Sequence, residues 1–131
     1  MQKLEKEIER DIFLFLRIIG VYCWKNDSVG IFDPTRKVYR KSNNPNRIKG
    51  VSDILGIIQG RMLAIEVKSA SGSTTDEQRR FIAKVNQEGG IAFVARSVEQ
   101  TAENLLKFFP SNNNLKRFCK EYVDQGSTTD H

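Results

Sequence analysis

Apolar residues recur every three or four positions near the start of the chain, which predicts an amphipathic helix ending at Gly20. The apolar stripe of this helix consists of Leu4, Ile8, Ile12, Phe15, Leu16 and Ile19. Short runs typical of strands follow over residues 21–24, 30–32 and 38–40. Residues 33–36, Asp-Pro-Thr-Arg, predict the turn of a hairpin, because proline presets the backbone angle of a turn's second position.

The middle of the chain predicts a tight hairpin. Residues 54–58 and 62–68 are two strand-like runs separated by Gln59 and Gly60, and glycine accepts the positive backbone angles that such a turn needs. If the turn centres on these two residues, Asp53 falls directly opposite Glu66.

Two capping-box patterns predict the starts of later helices. Thr75 with Gln78 begins a helix that runs to residue 88, and Ser97 with Gln100 begins one that runs to Pro110. Between them, a glycine pair precedes a compact apolar strand over residues 91–95. A short helix over 115–122 and a disordered polar tail over 125–131 are expected to complete the chain.

This order of elements favours an α/β fold with a mixed central sheet and helices on both faces. The strand at 91–95 should run parallel to the strand at 62–68, because a helix connects them. We expect one compact domain over residues 1–109 and a C-terminal helical extension over 110–131.

Composition narrows the class of protein. With 131 residues, 39% apolar and 28% charged, the chain fits one globular domain, and no apolar run is long enough to span a membrane. The charged start does not resemble a secretory signal, so we expect an intracellular, cytoplasmic protein, of cellular, viral or prophage origin. Cys23 and Cys119 lie far apart and the single histidine is His131, which gives no zinc or thiol-catalysis pattern, so both cysteines are expected to be buried or inert.

The net charge of +5 suits a polyanionic partner. Six basic residues crowd one polar stretch: Arg36, Lys37, Arg40, Lys41, Arg47 and Lys49. This stretch is either a nucleic-acid contact surface or simply a solvated loop.

Three charged residues form the candidate chemical centre. Glu66 and Lys68 share one face of their strand, since side chains alternate along a strand, and Asp53 lies opposite Glu66 across the hairpin. Two carboxylates about 5 Å apart repel unless a cation or a shared proton relieves them. Oxygen ligands favour Mg²⁺ or Mn²⁺. The alternative is an ordinary ion pair between Glu66 and Lys68 on a strand edge.

Three motifs carry a resemblance to a known family: residues 50–53 (Gly-Val-Ser-Asp), 64–68 (Ala-Ile-Glu-Val-Lys) and 78–81 (Gln-Arg-Arg-Phe). They resemble the Asp, Glu-x-Lys and Gln-x-x-Phe pattern of the PD-(D/E)XK nuclease superfamily and, within it, the VRR-NUC (virus-type replication-repair nuclease) family, which is similar to archaeal Holliday junction resolvases. The resemblance covers about residues 3–97, with Ser52 where the superfamily name places proline. It implies a restriction-endonuclease-like three-layer α/β/α fold and metal-dependent hydrolysis of DNA.

The resemblance also implies roles for individual residues. The metal ligands would be Glu9, Asp53, Glu66 and the backbone carbonyl of Val67, with Lys68 positioning or activating the attacking water. Glu9 falls at the border of the apolar stripe of its helix, with Glu5 as the fallback, although acidic residues also simply favour a helix start.

Gln78 has two possible roles. It would either cap its helix or reach the catalytic lysine or the scissile region, and we expect these roles to compete for one amide.

Contacts with DNA are expected from Lys25 and Ser28 as well as from the six basic residues of the polar stretch. Tyr22 and Trp24 could stack on bases, but an aromatic residue in a strand is more often part of the core.

A domain this small leaves little chain for a separate part that recognises a DNA base sequence. We therefore expect a structure-selective endonuclease for branched DNA such as a Holliday junction, acting in replication, recombination or repair. Cutting two strands calls for a homodimer, formed through the helix at 98–109 or through the tail helix with Phe118 and Tyr122. The alternatives are a non-catalytic DNA-binding module and a restriction-type or single-strand-specific nuclease.

Overall fold

A computed structural model describes residues 3–27, 31–40, 45–113, 115–117 and 119–121, with backbone only for 31–33 and 38–40. Ser28, Lys41, Phe118, Tyr122 and the tail at 125–131 fall outside the described residues. The elements are α1 (Glu5–Ile18), β1 (Tyr22–Lys25), β2 (Ile31–Asp33), β3 (Val38–Arg40), β4 (Ile54–Ile58), β5 (Arg61–Val67), α2 (Asp76–Gln87), β6 (Ile91–Ala95) and α3 (Val98–Phe108).

Four strands form the central sheet in the order β1-β4-β5-β6, while β2 and β3 pair as a separate hairpin. The pairs β1 with β4 and β4 with β5 are antiparallel, and β6 lies parallel to β5 because α2 crosses over between them. The sheet is therefore mixed, which confirms the α/β class and the predicted parallel pair.

The hairpin between β4 and β5 turns where it was predicted to turn. Gln59 and Gly60 have φ values of 48° and 77°, the pair of positive angles that a two-residue type I′ turn requires. Ile58 pairs with Arg61 and Ile54 pairs with Ile65, so the next residues along the ladder are Asp53 and Glu66. The expected register is confirmed.

The two faces of the sheet are covered by different helices. Alternate residues of β5, namely Leu63, Ile65 and Val67, are fully buried in the main core, which also contains the buried faces of α1 and α3. On the opposite face, Ala64 packs with Val85 of α2 and with Ala92. This arrangement gives the three layers of a restriction-endonuclease-like fold.

The position of α2 is fixed at both of its ends. At the far end, the Asn86 side chain donates to the Ala92 carbonyl at 2.9 Å and accepts from the Ala92 N–H at 2.8 Å. A Cβ on Gly90 would lie 2.6 Å from Cγ1 of Val85, so helix and strand approach closely here. At the near end, Thr75 and Gln78 form the predicted capping box.

Several predicted details are wrong by small amounts. The strands β1, β2 and β5 are each displaced by one residue from their predicted bounds. Leu4 is 69% exposed because it precedes the helix as its N-cap instead of joining the apolar stripe. At α3, Ser97 accepts from the Gln100 N–H as predicted, but the Gln100 side chain accepts from Arg96 N–H, so the second capping box is not reciprocal.

Both cysteines are buried, as expected, and burial raises the pKa of each thiol. Cys119 and Leu115, which lie beyond α3, belong to the main core. None of the helices in the described parts of the chain has the length and hydropathy that crossing a bilayer requires.

The prediction that Tyr22 and Trp24 belong to the core is wrong. Tyr22 is 71% exposed and Trp24 is 42% exposed. The reason is the position of α2, which packs against β5 and β6 and leaves the β1 side of this sheet face open.

Candidate active site

The candidate site lies where β4 begins and β5 ends. One oxygen of the Asp53 carboxylate, Oδ2, accepts a hydrogen bond from the Val67 N–H at 2.8 Å, and the Asp53 carbonyl accepts from the Asn26 N–H at 2.8 Å. The main chains of two neighbouring strands thus fix Asp53 from both sides. Its carboxylate faces Glu66 across the ladder.

Glu66 is a buried carboxylate, only 2% exposed. Its Oε1 accepts from Nε2 of Gln78 at 2.8 Å and lies 3.5 Å from Nζ of Lys68. Its Oε2 is also buried and has no hydrogen-bond partner among the described residues. One oxygen is therefore held while the other is left for a further partner.

The pKa of the Glu66 carboxyl is raised from 4.5 to about 8, first by burial and then by the charge of Asp53 and a hydrogen bond with it, while Lys68 partly offsets these effects. The ionised form of Glu66 is thus unfavourable in the protein alone. A divalent cation between Asp53 and Glu66 would remove the repulsion and provide a partner for Oε2. The chemistry of this donor set, oxygen ligands with an orphaned buried atom, fits a hard cation.

Glu9 is not gathered with the other two carboxylates. Within the described parts of the chain, no three His, Cys, Asp or Glu side chains come close enough together to hold a metal ion. Oε1 of Glu9 lies 3.3 Å from Nζ of Lys25. The predicted metal ligand Glu9 and the predicted DNA contact Lys25 therefore form an ion pair with each other. The ligand role of Glu9 stays a prediction.

Gln78 caps its helix, as one of its two expected roles requires, and its side chain also contacts Glu66. Its Oε1 accepts from the Thr75 N–H at 2.9 Å, and its own N–H donates to Oγ1 of Thr75 at 3.1 Å. Its Nε2 meanwhile donates to Glu66. Capping uses the amide oxygen and the contact with Glu66 uses the amide nitrogen, so these two contacts do not compete, and the catalytic role of Gln78 stays a prediction.

Two residues that support the site were missed by sequence reasoning. Gly50 has φ of 76°, and a Cβ there would lie 2.3 Å from the carbonyl carbon of Glu77. The loop leading to Asp53 therefore lies directly against the first turn of α2. Gly50 was noticed only as part of a motif, and a glycine in a loop does not by itself reveal which backbone it touches.

Arg96 is the second missed residue. Its Nη1 donates to the carbonyl oxygens of Ser69 and Gly72, and these two hydrogen bonds hold the turn that follows Lys68. One signal could have found it: Arg96 directly follows β6 and Lys68 directly follows β5, and the carboxyl ends of parallel strands meet at one edge of a sheet.

The residues predicted to contact DNA are only partly described. Arg36, Lys37, Arg47 and Lys49 are exposed, and Lys49 immediately precedes Gly50 on the loop that carries Asp53. Arg40 is the last residue of β3, and only its backbone is described.

Comparison with known families gives one result. A family model for the VRR-NUC domain matches residues 32–99, slightly more than half of the chain. The matched segment runs from β2 into the start of α3, so it contains Asp53, Glu66, Lys68 and Gln78. No curated protein matches the chain.

Proposed function

Since the chain belongs to the VRR-NUC family of PD-(D/E)XK nucleases, which act on DNA, we propose that it is an endonuclease requiring Mg²⁺ or Mn²⁺, with its active site at Asp53, Glu66 and Lys68. The observation that carries this proposal is the buried, partnerless Oε2 of Glu66 beside Asp53. Two facing carboxylates of which one is desolvated carry a cost that a shared proton relieves in the free protein and that a bound cation would relieve in its place.

The proposed cation ligands are Asp53, Glu66 and the carbonyl of Val67, with Glu9 joining them if its ion pair with Lys25 opens. Such an ion, when bound, polarises a phosphate and lowers the pKa of water. The chain's own residues do the positioning. The Val67 N–H holds one oxygen of Asp53, and Gln78 holds one oxygen of Glu66, so each carboxylate is fixed through one oxygen, while Oε2 of Glu66 has no hydrogen-bond partner among the described residues.

We assign two roles to Lys68: it positions or activates the attacking water, and it stabilises the negative charge that develops on the phosphate. Its side chain is only 12% exposed and lies 3.5 Å from Glu66, so its ammonium is held in place and largely shielded from solvent. Charge stabilisation by a fixed group is stronger where water is excluded. The turn braced by Arg96 limits how far this lysine can move.

We further propose that the protein selects DNA by shape, with branched DNA such as a Holliday junction as its substrate and a homodimer as its active form. The candidate site lies at one end of the central sheet, where β4 begins and β5 ends, and paired cuts require two such sites. The helix α3 offers little apolar surface for this dimer, because Val98, Ala102 and Leu105 are buried in the core of their own chain. Phe108, 37% exposed, is the exception.

The decisive experiment compares cleavage of linear, nicked, flapped and four-way DNA with added Mg²⁺ or Mn²⁺. Asp53→Asn and Lys68→Ala should each reduce cleavage by at least about 100-fold, the lower range for a catalytic group, while binding in EDTA is retained. The matched controls are Glu103→Gln and Lys107→Ala, since both residues are exposed on α3, which packs on the other face of the sheet. Equal cleavage by all four variants would contradict the site. DNA binding without cleavage of any substrate would identify a non-catalytic module instead.

A further inference from the structure

One half of a sheet face is open beside the candidate site. The exposed side chains on it are Tyr22 and Trp24 of β1, Ile57 of β4 and Met62 of β5, with exposed fractions between 42% and 71%. Tyr22 pairs with Ile57, which in turn pairs with Met62, so these side chains form a continuous row across three strands. We call this row, together with Trp24, the open aromatic face.

The two aromatic rings of this face are already arranged together. The centroids of Tyr22 and Trp24 lie 5.7 Å apart with an angle of 59° between the ring planes. Large aromatic side chains are costly to leave in water unless something else covers them. A pair of exposed rings on a rigid sheet offers a surface on which flat, apolar groups can stack.

The open aromatic face lies on the same side of the sheet as the two carboxylates. Trp24 pairs with Leu55, which is two residues from Asp53 and therefore on the same face of β4. Strands rise about 3.3 Å per residue. Measured along the strands, the Trp24–Leu55 pair therefore lies roughly 7 Å from the carboxylate pair, and the Tyr22–Ile57 pair lies roughly 13 Å from it. A strand of DNA whose phosphate lies at the carboxylates could therefore reach both rings within a few nucleotides.

A groove continues this face on the other side of Met62 and has a volume of about 780 Å³. Apolar side chains of Ile48, Met62 and Phe81 line its floor, and basic residues Lys49, Arg80 and Lys84 lie along it. Among the described residues that line it, four are basic and two are acidic. The positive excess agrees with the net charge of +5 and complements a phosphate backbone.

We propose that Trp24 and Tyr22 are a stacking platform for unpaired bases of the DNA substrate, with the adjoining basic groove following its phosphates. This inference rests on the proposed nuclease function and narrows its substrate to branched DNA that carries a single-stranded segment next to the cut. Aromatic stacking combined with a basic groove is the usual way in which proteins bind single strands without reading their sequence.

A second copy of the chain fits this surface less well. In a two-fold symmetric dimer the same patch meets itself, so the basic groove of one protomer would lie against the basic groove of the other. Like charges in such a position weaken association. The charge of the groove therefore favours DNA over a second copy as the occupant.

The chain supplies its own reporter, because Trp24 is its single tryptophan. With EDTA present to prevent cleavage, oligothymidylate should quench the Trp24 emission, whereas a blunt duplex should leave it nearly unchanged. Affinities of the variants are measured by fluorescence anisotropy of labelled oligothymidylate. Trp24→Ala and Tyr22→Ala should each weaken this binding roughly 5- to 150-fold, the range for the loss of one stacked base, and should leave duplex binding unchanged.

Two further variants distinguish the loss of base stacking from the loss of any exposed apolar side chain. Trp24→Phe keeps an aromatic ring and should restore most of the affinity that Trp24→Ala loses. Leu14→Ala removes an exposed apolar side chain, 51% exposed, from α1 on the other side of the sheet and should change nothing. Since all of these positions are exposed, thermal unfolding of the variants should match that of the wild type.

Several results would overturn the platform. The first is unchanged Trp24 emission at saturating oligothymidylate. The second is equal affinity of wild type and Trp24→Ala for oligothymidylate. The third is a dimer that Trp24→Ala converts to a monomer without any effect on DNA binding. The third result would identify the face as a protein interface. Cleavage with Mn²⁺ but without stacking would refute the platform and leave the nuclease function intact, whereas stacking without cleavage of any DNA would count against the nuclease function only.

Discussion

Replacing Glu66 with glutamine tests the cation site through protein stability, without any need for activity. Glutamine keeps the size of the side chain and an oxygen that can accept from Gln78, but it removes the charge. In the metal-free protein that charge is unfavourable, because the carboxylate is 2% exposed and faces Asp53. We therefore expect Glu66→Gln to be more stable than the wild type at neutral and alkaline pH, provided that EDTA removes all divalent ions.

The sign and size of the effect follow from the pKa of Glu66, which folding raises from 4.5 to about 8. Between these values the native state binds more protons than the unfolded chain, so the stability that Glu66 contributes is present below about pH 4.5 and is lost as the pH rises through 8. The loss amounts to about 2–3 kcal/mol between pH 5 and pH 7 and to about 4 kcal/mol by pH 9. The variant should not show this loss.

The assay is urea unfolding of wild type and Glu66→Gln at pH 5, 7 and 9 in EDTA. The informative quantity is the change with pH of the difference between the two free energies of unfolding, because differences in packing and hydrogen bonding between a protonated glutamate and glutamine are the same at every pH and cancel in this change. Glu103→Gln, which changes an exposed glutamate of α3, is the matched control and should follow the wild type at every pH.

Adding Mn²⁺ at pH 8 provides the second half of the test. An ion that binds only the native state at a hundred times its dissociation constant should stabilise the wild type by about 2.7 kcal/mol. Glu66→Gln should gain much less. If the two proteins lose stability in parallel as the pH rises, and Mn²⁺ stabilises both equally, then Glu66 is neither strained by burial nor a cation ligand, and the reasoning fails.

Three further predictions concern the residues that support the site. Gly50→Ala combines a positive φ with a backbone overlap and should lower the free energy of unfolding by about 2–4 kcal/mol, whereas Gly60→Ala, where a Cβ would meet nothing, should cost about 1 kcal/mol in the same urea titration. Gln78→Glu keeps the oxygen that caps α2 but loses the amide donor, so cleavage should fall at least about 10-fold while helix content by circular dichroism is unchanged; equal losses of both would show that capping is its main role. Arg96→Lys replaces the Nη1 group that donates to both carbonyls of the turn after Lys68 with an ammonium on a shorter side chain, so it should lower kcat more than it raises KM, and an unchanged kcat would exclude a positioning role.

The parts of the fold that local sequence determines could be predicted. The register of the β4–β5 hairpin follows from the two residues of its turn, and with it the placement of Asp53 opposite Glu66. The start of α2 follows from Thr75 and Gln78, since a capping box acts over three residues. In these cases the deciding interactions lie close together in sequence.

What depends on distant packing could not be predicted. Trp24 was expected in the core because the strand pattern does not show that α2 stops short of β1. The contact of Gly50 with α2 joins segments that are far apart in sequence, as does the brace from Arg96 to Ser69. For Glu9, the helical pattern gave its place at the border of the stripe but not its pairing with Lys25.

The two-residue turn at Gln59 and Gly60 has one further consequence for how this protein can change over time. The turn and the buried faces of both strands together set which residue stands opposite Glu66, so an inserted residue would either enlarge the loop or shift the register, and a shift would move Asp53 out of reach. The site therefore constrains the length of this turn as well as the identity of its carboxylates. Homologous chains are expected to keep two residues at the tip of the hairpin, drawn mainly from those that accept a positive φ.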